Sequence, residues 1–444
     1  MRIIPKSNCT ELSWIGRVMS DQVKAKVNKF NAIFGPGLMF AATSVGVSHI
    51  VQSSRAGAEF GLGLVVLIIL VNLIKYPTFH FGTKYALATG TTLLQGYRNI
   101  GNWAVILYGL INLLFMPIIF AALAMGTSGV ILVITGIDMP IAILSPIVML
   151  ACFVLLKIGR YNLLEKIIKV LVVIFTVLTF TAAIITMFTS DIFYSLSIFP
   201  SNLTPTSIFF IIALIGWMPT GLEVSVWQSV WTLRKTGKKP SDIGIKQFHM
   251  DFNIGYIVST LLAVSFMVLG TALMYNIGEQ FPASAPEFIA QVIRLYRNSI
   301  GEWSVPLIGV CTFAVFFSTT IAVFDGYPRI LVATAERFKN DETPWQIKYP
   351  AKSNFYTIII LSGMIGAYML IVLWNTSFKT FIDFSTTVAF LYGPVIAFLN
   401  HKAINNKNVP LAHRPNFLIN ALSILGISIL TLVAVYYGYL KLFT

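Results

Sequence analysis

Long apolar runs separated by short polar and basic stretches dominate the chain from residue 38 onward. A helix that crosses a bilayer needs about 20 mostly apolar residues. Eleven runs answer to that description, over 38–60, 62–83, 103–132, 139–156, 165–188, 206–232, 252–275, 304–334, 354–374, 380–399 and 416–440. Lipid offers no water to backbone N–H and C=O groups, so such runs are predicted to be helical. The expected fold class is an all-α integral membrane protein with eleven transmembrane helices. Residues 1–29 are polar and basic and lack the apolar core of a signal peptide, so 1–34 is predicted to be a cytoplasmic arm. The segment around Asn276–Trp303 contains Pro286–Arg294, a predicted short surface helix. No stretch is long enough for a soluble domain, and the chemistry is expected inside the bundle.

Two runs carry helix-breaking sequence near their middles. In the first, Gly35-Pro36-Gly37 opens the helix and Thr43-Ser44-Val45-Gly46-Val47-Ser48-His49 interrupts it. In the sixth, Ile215-Gly216-Trp217-Met218-Pro219-Thr220-Gly221 does the same. Proline removes a backbone donor and clashes with the turn before it. Unwound backbone at membrane depth survives where it is buried in protein or lines a cavity. Breaks at matching places divide the chain into a five-helix repeat over 35–188, a second over 202–400 and an added helix over 416–440. Paired breaks of this kind point to a transporter site at the midplane. The plainer reading is ordinary kinking, since Pro and Gly are common in spanning helices.

Composition agrees: 56% of residues are hydrophobic and 11% charged, with a mean hydropathy of +0.79. These values exclude a disordered chain, a coiled coil, a disulfide scaffold and an ordinary cytosolic enzyme. Cys9, Cys152 and Cys311 are too few and too scattered for a zinc motif. The net charge of +14 is distributed unevenly. With the N-terminus in the cytoplasm, 25 of the 31 Lys and Arg fall on inner segments. That is the positive-inside pattern, with the C-terminus outside. The charge therefore signals orientation and contact with the lipid bilayer, not nucleic-acid binding. No nucleophile elbow, zincin motif, P-loop or dinucleotide fingerprint occurs, so neither an enzyme nor an ATP-driven pump is expected.

Gly35-Pro36-Gly37 followed by Arg55-Ala56-Gly57-Ala58-Glu59-Phe60-Gly61, then Gly159-Arg160-Tyr161-Asn162-Leu163-Leu164-Glu165-Lys166, then Met218-Pro219, resemble the Nramp (natural resistance-associated macrophage protein) family of divalent metal transporters in wording, order and spacing. The resemblance implies a LeuT-type inverted repeat, five helices plus five plus one, working by alternating access. It also marks departures. The family's metal-binding Asp-Pro-Gly-Asn places hold Gly46, Val47, Ser48 and His49 here. Its sixth-helix Met is kept as Met218, while the His-Asn after Pro219 is Thr220-Gly221. Its two proton-linked acids in the third helix correspond to Phe120 and Leu123.

The candidate substrate-binding residues are Gly46, Ser48, His49, Ile215, Gly216, Met218, Thr220 and Glu223. His49 and Met218 are the candidate metal ligands, imidazole suiting Zn, Cu, Fe and Ni, and thioether suiting softer ions. The bland reading of His49 is a bond to Ser48 or Ser53 that holds the unwound turn; that of Met218 is packing. Glu223 follows the second break and supplies negative charge there, or else pairs with a nearby Lys or Arg. Asp325 and Arg329 are spaced to pair on one helix face as a brace or gate. Thr386, beside Ser385 and Thr387, stands where the family places a gating polar residue, with helix packing as the alternative. Lys75 and Arg55 are expected to snorkel, and Asp251 and Asp383 to serve no special role.

Together these features predict a secondary transporter of a divalent metal cation, with an altered site and without the usual proton coupling. Competing readings are a carrier of a non-metal solute or anion, a passive channel, and a non-transporting sensor on the same fold. No cofactor is implied. A compact chain without long tails suits a prokaryotic inner membrane.

Overall fold

A computed structural model describes residues 35–159, 162–190, 203–237, 239–275, 281–345, 353–374 and 377–443, with Pro200 and Gly278. The arm over 1–34 lies outside the described residues. Every regular element described is a helix. A first interrupted path consists of α1 (Pro36–Ser44), a wide π-helical turn (Ser48–Ser53) and α2 (Ser54–Phe60). It is followed by α3 (Val65–Thr89), the short α4 (Leu93–Ile100), α5 (Asn102–Thr135), α6 (Ile141–Ile158) and α7 (Asn162–Thr189). A second interrupted path consists of α8 (Pro205–Trp217) and α9 (Val224–Thr236). Then come α10 (Asp242–Leu273), α11 (Ala285–Ile300), α12 (Ser304–Lys339), α13 (Asn354–Trp374), α14 (Phe378–Ile404) and α15 (Phe417–Phe443).

Among the described residues nine helices are long and apolar enough to cross a membrane. They account for nine of the eleven apolar runs. The other two runs are the interrupted paths, whose halves are each too short to qualify. α11 is the surface helix expected around Pro286; Ser284 caps it by accepting from Glu287 N at 3.4 Å, and Phe288, Ile289, Val292 and Leu295 form its buried face. Outward faces are hydrocarbon, as bilayer solvent requires: Leu373, Leu432 and Phe443 are largely exposed.

Packing between the halves is reciprocal. The first path lies along α10, α9 lies along α3, and α5 crosses α12. Missing side chains allow the closest approach: a Cβ on Gly37 would fall 2.0 Å from Asp251 O, and one on Gly255 would fall 2.1 Å from Gly37 O. Small residues at such crossings let backbones meet where no hydrophobic effect drives association. This contact fixes the first path to α10 and sets the depth of its break.

Among the described residues, one end of the bundle carries most Lys and Arg, together with the start of α1 and the ends of α3, α9, α12 and α14. It is called the basic end below.

Candidate functional site

At the first break the chain largely closes on itself. Ser44 Oγ donates to Phe40 O at 2.8 Å, and Ser48 Oγ bonds Ser44 O. His49 is fully buried. Its Nε2 lies 2.9 Å from Ser259 O and 3.0 Å from Ser259 Oγ on α10, and its Nδ1 lies 3.0 Å from Ser48 Oγ. The ring donates through whichever nitrogen carries the proton and accepts through the other. Both nitrogens are thus engaged in bracing the turn, one of them by a partner the sequence did not suggest. Gly46 makes room for α12, since a Cβ there would stand 2.9 Å from Thr319 Oγ1. Gln52 Nε2 donates to Thr386 Oγ1 at 3.1 Å and ties the turn to α14.

The second break is open. α8 ends at Trp217, and residues 218–223 are not helical. Ile215 would ordinarily accept from the N–H four residues on, but that residue is Pro219, which has none. Lys75 takes the vacant role: its Nζ donates to Ile215 O at 2.5 Å and to Gly216 O at 3.1 Å. Lys75 does not snorkel as expected; it is 2% exposed and points into the protein. Gly216 is pressed against α14, with a Cβ position 2.0 Å from Thr386 O. So Thr386 serves close helix packing and a bridge to Gln52.

Glu223 immediately precedes α9 and is buried. Its Oε2 accepts from Tyr392 OH at 2.6 Å and its Oε1 from Tyr327 OH at 3.1 Å. Gly221 leaves space for this carboxylate, because a Cβ there would sit 2.3 Å from Glu223 Oε2. Glu223 forms no salt bridge of contact length among the described residues, yet it lies within electrostatic reach of Lys75.

Between the breaks is a cavity of about 40 Å³. Its polar wall is Thr43, Ser48, Thr220, Glu223, Thr319 and Tyr327; Ile119, Leu123 and Val323 supply hydrocarbon. Glu223 is its sole charged wall residue. Of the sequence candidates, Ser48, Thr220 and Glu223 meet there. His49 faces α10, Met218 is buried off the wall, and Ile215 and Gly216 hold Lys75. Among the described residues no three His, Cys, Asp or Glu side chains are grouped to hold a metal ion. Phe120 stacks on Phe324 at 3.9 Å, closing the α5 side with rings.

Charge clusters close the two ends. Away from the basic end, Arg55 pairs with Glu59 at 2.6 Å and Asp383 at 2.5 Å, and stands 4.2 Å over the Phe210 ring. Arg55 is 4% exposed, so it too does not snorkel, and Asp383 has a partner after all. Toward the basic end, Asp325 and Arg329 pair at 2.5 Å as their spacing predicts, and Tyr356 OH donates to Asp325 at 2.8 Å. Asp251, expected to be idle, caps α1 by accepting from Gly37 N at 2.7 Å and Gly35 N at 3.3 Å.

Sequence reasoning missed Lys75, Tyr327, Tyr392 and Thr319. For Lys75 a signal existed. It lies eight residues from the nearer end of its apolar run, about 12 Å at helical rise, which exceeds the length of its side chain.

Three comparisons with known proteins bear on this arrangement. The model of the family described as natural resistance-associated macrophage protein-like matches residues 37–440. An uncharacterised protein of Pasteurella multocida is 32% identical over 411 residues, 91% of either chain. A manganese transporter of Eremococcus coleocola, solved with an aromatic bis-isothiourea compound, superposes with a TM-score of 0.67 at 14% identity, covering 92% of this chain and 86% of that one. MhsT in complex with L-phenylalanine gives 0.63 at 16% identity, covering 91% and 98%, and inward-facing Mhp1 gives 0.59 at 14%, covering 91% and 89%. At these identities the solved structures speak for fold alone, and that fold is the LeuT type.

Proposed function

The chain belongs to the Nramp family and is a multi-pass secondary membrane transporter, not an enzyme; from that premise we propose that it carries a divalent metal cation by alternating access through the cavity between its breaks. The observation that carries this reading is Glu223, a lone carboxylate on an otherwise neutral wall at the open end of a broken helix. A bare divalent ion faces a large desolvation cost beside one negative charge. A cavity of about 40 Å³ has room for about three water-sized particles, the ion among them, so the ion keeps part of its shell. Carboxylate, hydroxyl and water form a hard-oxygen set that suits Mn²⁺ or Mg²⁺ better than softer ions. The similar Eremococcus coleocola protein is a manganese transporter, which agrees with that preference. In this state His49 and Met218 support the breaks and do not reach the cargo.

The reciprocal packing supports two repeats over 35–188 and 202–400 with 416–440 added, eleven crossings in all. The basic end is the cytoplasmic end of a cell inner membrane by the positive-inside bias, and the C-terminus lies outside. Arg55 with Asp383 is then the outer gate, closed here, and Asp325 with Arg329 braces the inner end. Phe120 and Leu123 replace the proton-linked acids of the family, so metal moves without accompanying proton influx.

The test is Mn²⁺ uptake into proteoliposomes holding a metal-quenched dye and a pH dye, with Glu223→Gln in parallel. Saturable quenching without acidification, lost in Glu223→Gln, is the expected result. No quenching by folded, inserted protein turns the search to anions and organic solutes. Acidification that tracks the metal restores proton coupling.

A further inference from the structure

The C-terminal end of a helix concentrates partial negative charge on carbonyls that lack intrahelical partners. At membrane depth no bulk water satisfies them. α8 has such an end at Ile215–Trp217, and Pro219 deepens the deficit by withholding its N–H from Ile215. This is the arrangement that draws a free cation in proteins with broken helices. Here the position is filled from within the chain. Lys75 reaches across from the middle of α3, is almost wholly buried, and gives its ammonium protons to Ile215 O and Gly216 O. Met218 N stands at a long 3.4 Å from Ile215 O and leaves capacity there. The charge of Lys75 also attracts Glu223 across the break.

We propose that Lys75 is a tethered cation, occupying by covalent attachment a monovalent-cation site formed by the Ile215 and Gly216 carbonyls, so that the transporter works without a dissociable Na⁺ or K⁺ at the sixth-helix break. This goes beyond the identity of the cargo and stands whether or not the cargo is a metal. A bound ion would hold α8 to α3 only while it stayed; a lysine holds it through every cycle. It also leaves for the cargo the lone pairs of Glu223 that Tyr327 and Tyr392 do not take.

The test is thermal unfolding of purified protein, which needs no transport. Wild type is expected to gain no saturable stabilisation from Na⁺, K⁺ or n-propylammonium beyond that of choline at equal ionic strength. Lys75→Ala removes three methylenes and the ammonium, a space that n-propylammonium matches. That variant is expected to melt lower and to recover with n-propylammonium in a saturable way. Ligand at about ten times its dissociation constant shifts the folded ratio about tenfold. Tetramethylammonium, too bulky and without protons to donate, is expected to do nothing. If Lys75→Ala does not fold, Lys75→Met serves. It keeps a hydrocarbon stem and leaves the two carbonyls without a donor, and the expected result is a Na⁺-dependent stabilisation that wild type lacks. Saturable Na⁺ or K⁺ stabilisation of wild type, or no cation response from whichever variant folds, overturns the proposal. Mn²⁺ uptake is read separately, so failure of one reading leaves the other standing.

Discussion

The two breaks face each other across one cavity and solve the same problem in opposite ways. The first resolves its unpaired groups locally. Its chain passes through a π-helical turn straight into α2, Ser48 bonds the carbonyl four residues back, and His49 bridges Ser48 to α10. The second resolves its groups with side chains borrowed from elsewhere: Lys75 from α3, Tyr327 from α12 and Tyr392 from α14. The difference follows from composition. The first break has one glycine, Gly46, and no proline within it, and its polar side chains, His49 apart, are short. The second has Pro219 between two glycines and a carboxylate just beyond. A break that heals itself is scaffold. A break that stays open concentrates charge, and the single carboxylate of the cavity stands there.

The sharpest way to break this comparison is to remove that charge. Glu223→Gln keeps the volume, and its amide oxygen still accepts from one tyrosine. If the second break holds the cargo, Mn²⁺ uptake at low concentration should fall by about 100-fold or more, the scale of a lost charged contact of about 3 kcal/mol or more. An equal loss from Ser48→Ala, which removes a cavity hydroxyl of the first break and no charge, would falsify the asymmetry.

Next in size is a pair of glycine substitutions that compares how the two breaks are packed. A methyl on Gly216 meets the backbone carbonyl of Thr386 at 2.0 Å, and backbone of α14 cannot step aside without moving the helix. A methyl on Gly46 meets only the side chain of Thr319, at 2.9 Å, and no backbone. Gly216→Ala is expected to cost about 3 kcal/mol or more and to deplete folded protein. Gly46→Ala should cost about 1 kcal/mol. Fluorescence-detected size-exclusion during a heating series ranks the two, and a reversed order would place the tighter junction at the first break.

How much of this was legible beforehand depended on whether the signal was local. Apolar run length, the proline and glycines of the breaks, the α11 surface helix and the Asp325–Arg329 spacing are properties of adjacent residues, and sequence exposes them. The fold class and its family likeness were readable for that reason. The site was half readable. Ser48, Thr220 and Glu223 were placed on the cavity because they lie within or just after a break. Lys75, Tyr327 and Tyr392 are distant in sequence and join Glu223 and the α8 end only through tertiary packing, and no local pattern encodes which helix will lend a side chain. His49 was legible as a polar residue at a break; that it would turn to Ser259 depends on how α10 lies beside it. Arg55 and Asp383 are 328 residues apart and meet only through tertiary packing.

A third experiment sharpens the scaffold reading of the first break. His49→Ala removes a ring with both nitrogens bonded and leaves Ser259 and Ser48 facing a void. A loss of about 2–4 kcal/mol of stability is expected from the cavity and the unpaired Ser259 hydroxyl together. Mn²⁺ affinity of the folded fraction, read by calorimetry, should change by less than about threefold. A larger fall in affinity at normal stability would show that imidazole reaches the cargo in another state of the cycle.

The smallest effect is expected where the sequence offered a soft ligand. Met218 is buried at the hinge of the second break, off the cavity wall. Leu nearly conserves its volume, and such exchanges usually cost less than about 1.5 kcal/mol. A thioether that packs and does not coordinate should therefore be replaceable, with Met218→Leu retaining Mn²⁺ uptake within about twofold. A softer ion discriminates further: sulfur binds Cd²⁺ well and a hydrocarbon does not. If Met218 only packs, Met218→Leu leaves the ratio of Cd²⁺ to Mn²⁺ uptake unchanged. A selective collapse of Cd²⁺ uptake would mean that the hinge rotates its sulfur into the cavity during transport, and that the open break contributes a ligand as well as a charge.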